Sequence, residues 1–343
     1  MKSPKQATPV PHVDLSGKKK PTVISTFAGA GGSSLGYKLA GFQELLAVEF
    51  DPHAIEVFKM NFPGVPVFTK DIKLLSSKHL FEITKTKPGE LDVFDGSPPC
   101  QGFSSCGKHD LNDDRNLLFE EFARLLIEIQ PKSFVMENVS GMIKGHMKRI
   151  FIKILSVLRD CGYQVKAELL NAQFFNVPQR RRRVIFVGIR NDLNLQPTHP
   201  KPTSQPIILR KALEDCPNDK EQRMVCSKIA KVLPYMTSKT DANKRKILFK
   251  KVLGKSSGYI NTMLLAWGEV PPTLCKQEIA HTGLIHPDKQ RYLSLSEAKR
   301  ICSFPDDFKF VGGRKKGIER LGNAVPPKMM EAIALHIRSI LNV

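Results

Sequence analysis

The chain has 343 residues, 41% of them hydrophobic, with a formal net charge of +20 and a pI near 9.7. That length predicts about two domains, and a cationic surplus of this size must lie on the surface, where it attracts a polyanion, most simply nucleic acid. No run of about 18 apolar residues is present, which excludes a membrane-spanning helix; seven cysteines without a C-x-x-C pair argue against a disulfide framework and a four-cysteine zinc site.

Residues 1–20 are rich in Lys and Pro and lack the apolar stretch of a secretory signal, so they read as a disordered basic tail. Residues 22–27 (Thr-Val-Ile-Ser-Thr-Phe) form a β-rich run into Gly29-Ala30-Gly31-Gly32-Ser33-Ser34, a glycine turn opening a short helix that Gly41 stops. A second strand over 45–48 ends at Glu49. Asp51-Pro52 then starts a helix, with Asp as N-cap and Pro as first helical residue. Residues 65–68 are a third strand with Asp71 just beyond, and 91–94 a fourth, which runs into Gly96-Ser97-Pro98-Pro99-Cys100-Gln101-Gly102-Phe103-Ser104. Residues 117–129 have helical apolar spacing, 133–136 are a strand closing on Glu137-Asn138, 147–161 are a helix, and strands over 165–170 and 184–189 finish the series. Strands alternating with helices at this spacing predict a doubly wound α/β fold with a mostly parallel sheet.

The alternation stops near Arg190. Residues 197–206 (Pro-Thr-His-Pro-Lys-Pro-Thr-Ser-Gln-Pro) are a stiff linker by composition. The stretch that follows has no βα repeat, and Lys244, Arg245, Lys246, Lys250, Lys251 and Lys255 cluster in it. After Leu293 helical patterning resumes to the end. The predicted organisation is a tail over 1–20, a catalytic and cofactor domain over 21–190, a second, smaller basic domain over 191–290, and a segment over 291–343 returning to the first domain.

Open α/β sheets place their chemistry at the carboxyl ends of strands. Cys100 stands there, on a loop stiffened by two prolines; by itself it reads equally as a small buried apolar residue. The glycine turn is not the dinucleotide fingerprint, because the third glycine of G-x-G-x-x-G falls at Ser34. Glu49 nevertheless lies twenty residues after Gly29, where an acid accepts hydrogen bonds from a ribose, so the arrangement suits an adenosine-containing cofactor. Asp71 is placed for an adenine amino group or is a solvated loop acid. Glu137 faces the same crevice as Cys100, and a thiol beside a carboxylic acid suits attack on a ring that must be protonated as it is attacked. In 179–183 (Gln-Arg-Arg-Arg-Arg) alternate arginines share a side, Arg181 with Arg183 and Arg180 with Arg182.

These segments, with Asp114-Arg115-Asn116, Glu137-Asn138-Val139, Phe304-Pro305-Asp306 and Gly322-Asn323-Ala324-Val325-Pro326-Pro327, occur in the order found in the DNA (cytosine-5) methyltransferases of bacterial restriction-modification systems, which the chain resembles over 22–341. The resemblance implies S-adenosylmethionine as methyl donor, held by Phe27, Gly29, Gly31, Gly32, Glu49, Phe50, Asp71, Ile72, Pro98, Leu118, Asn323 and Val325. It implies Cys100 as nucleophile, Glu137 as acid at the base N3, and Arg181 and Arg183 as site arginines. The 191–290 region becomes a target-recognition domain, with DNA contacts expected from Gln101, Ser104, Gln179 and Thr273. Double-stranded DNA is the implied substrate of a cytoplasmic monomer without metal, accompanied by a cognate restriction endonuclease. A tRNA methyltransferase of the same fold is the nearest rival, disfavoured by Gln101-Gly102-Phe103-Ser104. A DNA-binding module without catalysis needs neither the Cys100–Glu137 pair nor a cofactor site, and a thiol hydrolase needs a histidine partner that the matched segments do not offer.

Overall fold

The computed structural model describes residues 19–99, 117–254, 262–276 and 282–343. β1 (Thr22–Thr26), rich in β-branched residues and buried throughout, is followed by α1 (Gly32–Leu39), β2 (Gln43–Val48), α2 (Pro52–Asn61), β3 (Val67–Phe68), α3 (Ser77–Thr84) and β4 (Val93–Gly96). Then come α4 (Leu117–Ile129), β5 (Ser133–Val139), α5 (Lys148–Asp160), β6 (Tyr163–Asn171) and β7 (Arg182–Arg190). These strands form one seven-stranded sheet in the order β3-β2-β1-β4-β5-β7-β6. β3, β2, β1, β4 and β5 run parallel, whereas β7 is antiparallel to both neighbours. The doubly wound, mostly parallel sheet is as expected. β3 is shorter than its apolar run, because Pro66 has no N–H to give and joins the ladder only by accepting from Ala47 N at 2.9 Å.

Period-2 alternation sends successive strand side chains into separate cores. Phe94, Phe134 and Met136 pack with Phe122 and Leu126 of α4 and Ile154 and Leu158 of α5. Val93, Val135, Ile185 and Val187 point to the other face, against Tyr37 of α1 and Met329, Met330, Ile333 and Ile337 of the last helix. The reversal of β7 has a consequence for chemistry: its first residues stand at the same sheet edge as the last residues of β5, with Val139 opposite Arg183 and Glu137 opposite Ile185.

Beyond β7 the elements shorten: α6 (Leu209–Ala212), α7 (Ser227–Ala230), α8 (Ala242–Leu253), and the parallel pair β8 (Thr262–Leu264) and β9 (Gly283–Ile285). Ile229, Val232, Leu233, Met236, Phe249, Leu264, Ile285 and Tyr292 make a separate small core there. α9 (Leu295–Ile301), α10 (Gly313–Asn323) and α11 (Pro327–Leu341) bring the chain back. Ile301, Phe304, Phe308, Ile318 and Leu321 pack with Phe58 and Phe62 of α2, while α11 lies along α1.

Candidate active site

The turn after β1 is built for close approach. Phe27, Gly29 and Gly31 have φ of 54°, 56° and 92°, and a Cβ at Gly32 would come within 2.4 Å of the Val325 carbonyl oxygen, so the C-terminal segment presses directly on the turn. Glu49, just past β2, binds the turn from the other side: Oε2 accepts from Gly29 N at 2.8 Å, and Oε1 accepts from Phe50 N at 2.9 Å and Asp51 N at 2.8 Å. A carboxylate offers about four acceptor positions, so Glu49 keeps about one for a hydroxyl. Phe50 stands beside it with 65% of its surface exposed, an open aromatic face suited to a planar ring. These residues fit an adenosine-containing group.

Around them Ile72 is buried and Leu118 half-buried; Asp71 is exposed, its Oδ1 capping the following turn by accepting from Lys73 N at 3.0 Å. Asn323 is exposed at the end of α10 and Val325 is buried. Asp51 caps α2 through His53 N and Ala54 N and pairs with Arg320 of α10 at 2.9 Å. Burial works against its charge, but those amides and the guanidinium outweigh it and hold its pKa below the ordinary value.

Glu137 and Arg183 meet at the shared edge of β5 and β7, Arg183 Nε to Glu137 Oε1 at 2.6 Å, with both side chains all but buried. The neighbouring Asn138 donates Nδ2 to the carbonyl of buried Pro98 at 3.2 Å, anchoring the proline loop to the strand that carries Glu137. Cys100, Gln101 and Ser104 lie outside the described residues; Pro98-Pro99 delivers the chain to them.

The other arginines divide as strand periodicity predicts, Arg181 and Arg183 inward and Arg180 and Arg182 exposed. Arg181, however, does not reach Glu137's ion pair. Wholly buried, it donates to the carbonyls of Leu274 at 3.3 Å and Gly322 at 3.0 Å, joining β7 to two distant segments. Gln179 is also turned inward, donating to Ile301 O at 3.4 Å and Cys302 Sγ at 3.2 Å, with no exposed surface. Thr273 is half-buried and donates its hydroxyl to Arg180 O at 2.8 Å. In the basic cluster Lys244, Lys246, Lys250 and Lys251 are exposed on α8, but Arg245 is buried and donates to Thr240 O; Lys255 lies outside the described residues.

The sequence pattern does not single out Tyr37 and Asp95, both buried, or Glu44, half-buried with one carboxylate oxygen enclosed. Tyr37 donates to Asp95 Oδ1 at 3.2 Å, and Ser34 donates to Glu44 Oε1 at 2.8 Å. The one available signal was an acid, Asp95, inside an otherwise apolar strand. Among the described residues, no group of His, Cys, Asp and Glu is arranged to hold a metal, and no helix is long and apolar enough to cross a membrane.

The model of the C-5 cytosine-specific DNA methylase family matches residues 21–339. Type II methyltransferase M1.HphI of Haemophilus parahaemolyticus is 33% identical, the match covering 91% of this chain and 85% of that protein. M.XorII of Xanthomonas oryzae pv. oryzae is 31% identical over 94% and 85%. Among solved structures, a DNA modification methyltransferase encoded within an E. coli prophage superposes with a TM-score of 0.73 at 26% identity, covering 94% of this chain and all of that one. The S. pombe Dnmt2 methyltransferase shares the fold, with a TM-score of 0.68 at 19% identity over 95% of this chain and 100% of its own. With a family model spanning nearly all of its length, the chain belongs to the C-5 cytosine-specific DNA methylases.

Proposed function

We propose that this DNA cytosine-5 methyltransferase uses S-adenosylmethionine to methylate a cytosine within a specific short sequence of double-stranded DNA, through a covalent bond between Cys100 and C6. The observation that supports this most is the Glu137–Arg183 pair, set on the sheet edge where Asn138 anchors the proline loop leading to Cys100.

Cytosine C5 is too poor a nucleophile to take a methyl group unaided. Attack of the Cys100 thiolate on C6 forms the C–S bond and moves the ring electrons, while N3 takes a proton from Glu137; C5 gains enamine character. S-adenosylmethionine, when bound, supplies an electrophilic methyl group. C5 then loses its proton to a base, the C–S bond breaks to return the thiolate, and N3 gives its proton back to Glu137, restoring the aromatic ring. Arg183 holds the Glu137 carboxylate in place before the base arrives; as the base enters, the guanidinium turns to the ring carbonyl and Glu137 takes up from solvent the proton it passes to N3. A ring attacked from above and below cannot stay stacked, so the target flips out of the duplex at a cost of a few kcal/mol, offset by contacts with the basic surface. A cognate endonuclease cutting the same unmethylated sequence completes this reading, with the methyltransferase working as a cytoplasmic monomer.

Base-resolution mapping of duplex DNA treated with the purified enzyme and S-adenosylmethionine tests the reading. It predicts 5-methylcytosine confined to one short sequence; methylation of RNA in place of DNA, or of an exocyclic nitrogen, overturns it.

A further inference from the structure

Beneath the glycine turn, on the α1 face of the sheet, lies a group of acids that the reaction above does not use. Asp95 of β4 and Tyr37 of α1 are 2% and 0% exposed and hydrogen-bonded to each other. Glu44 of β2 accepts from Ser34 of α1, while its second oxygen, Oε2, is enclosed beside the hydroxyl of Ser25 on β1. The ionisable groups acting on Asp95 are Tyr37, Glu44 and Glu137, and those acting on Tyr37 are Asp95 and Glu44. All are acids. The serines Ser25, Ser33 and Ser34 supply the remaining polar contacts, and among the described residues no cation pairs with Glu44 or Asp95.

Two carboxyl groups sharing a buried site without a cation cannot both stay ionised. Burial, reinforced by Glu44 and Glu137, pushes Asp95 well above the ordinary carboxylate range. Burial pushes Glu44 up to about 7, against the opposing serine hydroxyls. Such groups cost stability and concentrate at functional sites. Their contacts with α1 all fall at Ser33, Ser34 and Tyr37, within the helix that the cofactor turn opens.

We propose that Glu44 and Asp95 form a buried acid layer under the cofactor turn that makes cofactor binding proton-linked and favours the cationic methyl donor over its product, whose sulfur is uncharged. This rests on the assignment of the turn to S-adenosylmethionine. A sulfonium held above the layer eases the ionisation of Glu44, and by reciprocity ionised Glu44 binds the sulfonium more tightly. After transfer the charge is gone, Glu44 takes its proton back, and S-adenosylhomocysteine loses that part of its hold.

Isothermal titration calorimetry of the full chain with S-adenosylmethionine and S-adenosylhomocysteine, between pH 6 and pH 8 in buffers of different ionisation enthalpy, measures both affinity and protons released. Both ligands carry an amino group that titrates, so the quantity read is the difference between wild type and Glu44→Gln, which keeps an acceptor for Ser34. If the donor lowers the Glu44 pKa by about one unit, its affinity for the wild type rises about fivefold over this range relative to the variant. The product shows little such difference. Circular dichroism verifies that the variant is folded. Identical pH dependence in wild type and variant, or an equal Glu44-dependent rise for both ligands, overturns the proposal. Failure of the wild type to bind either ligand overturns the cofactor assignment itself, and the proposal with it.

Discussion

Replacing Arg183 with Met removes the only cation paired with Glu137 among the described residues and leaves an almost buried carboxylate beside the acid Asp95. Breaking a buried ion pair from one side costs about 3–5 kcal/mol, because the remaining charge is uncompensated. This pair has a 2.6 Å contact and little solvent access, which puts it near that range and well above the roughly 0–1 kcal/mol of an exposed pair. Adding Glu137→Gln to Arg183→Met should recover much of the stability, giving a coupling energy of about 2–3 kcal/mol in the double-mutant cycle. Urea denaturation of the four proteins measures it. A single-variant loss below about 1 kcal/mol, the size of an exposed pair, would refute the view that this edge is desolvated.

Gly32→Ala sets a methyl group against the Val325 carbonyl, a backbone atom 2.4 Å away that has no rotamer to yield; calorimetry should show weakened S-adenosylmethionine binding, whereas the same change at Gly64, where a Cβ meets nothing within 4 Å, should leave it unaltered. Glu49→Gln removes the charge and sets an N–H2 donor against the backbone amides on one side of the carboxylate, and should weaken the cofactor by about 1.5–3 kcal/mol, the worth of hydrogen bonds to a charged group. Neutralising Lys244, Lys246, Lys250 and Lys251 together should flatten the salt dependence of DNA binding by about 0.9 per lost phosphate contact; Arg245→Gln, altering a buried side chain of the same helix, should reduce stability and leave the slope unchanged.

Local chemistry made much of this molecule readable in its sequence. The spacing over 117–129 marks α4 to the residue, Asp51-Pro52 caps α2 as its side chain allows, and the glycine turn faces the acid at the end of β2. Strand direction is a different matter, because alternation of strands and helices says nothing of β7 running backwards, and that reversal is what sets Arg183 against Glu137. A run of four arginines carries the period-2 division but not which member pairs and which, like Arg181, is spent on distant carbonyls. Arg245 reads like its lysine neighbours, yet its side chain is buried and donates to Thr240 O on a helix whose Phe249 enters the small core. Elements of four residues such as α6 and α7 are too short to show a period. Asp95 carries no mark of its setting in the sequence, because the groups acting on it, Tyr37 and Glu44, come from two other elements.

The nucleophile, the cofactor and the substrate are tested together by duplex DNA carrying 5-fluorocytosine at the target position. After methyl transfer C5 must release a proton before the thiol can leave, and fluorine cannot be removed in its place, so elimination stalls with the Cys100–C6 bond intact. The account predicts a denaturant-resistant complex that forms only with S-adenosylmethionine, maps to Cys100 by peptide mass spectrometry, and disappears in Cys100→Ala. A complex through another cysteine, one that forms without the cofactor, or efficient trapping on tRNA in place of duplex DNA would contradict it.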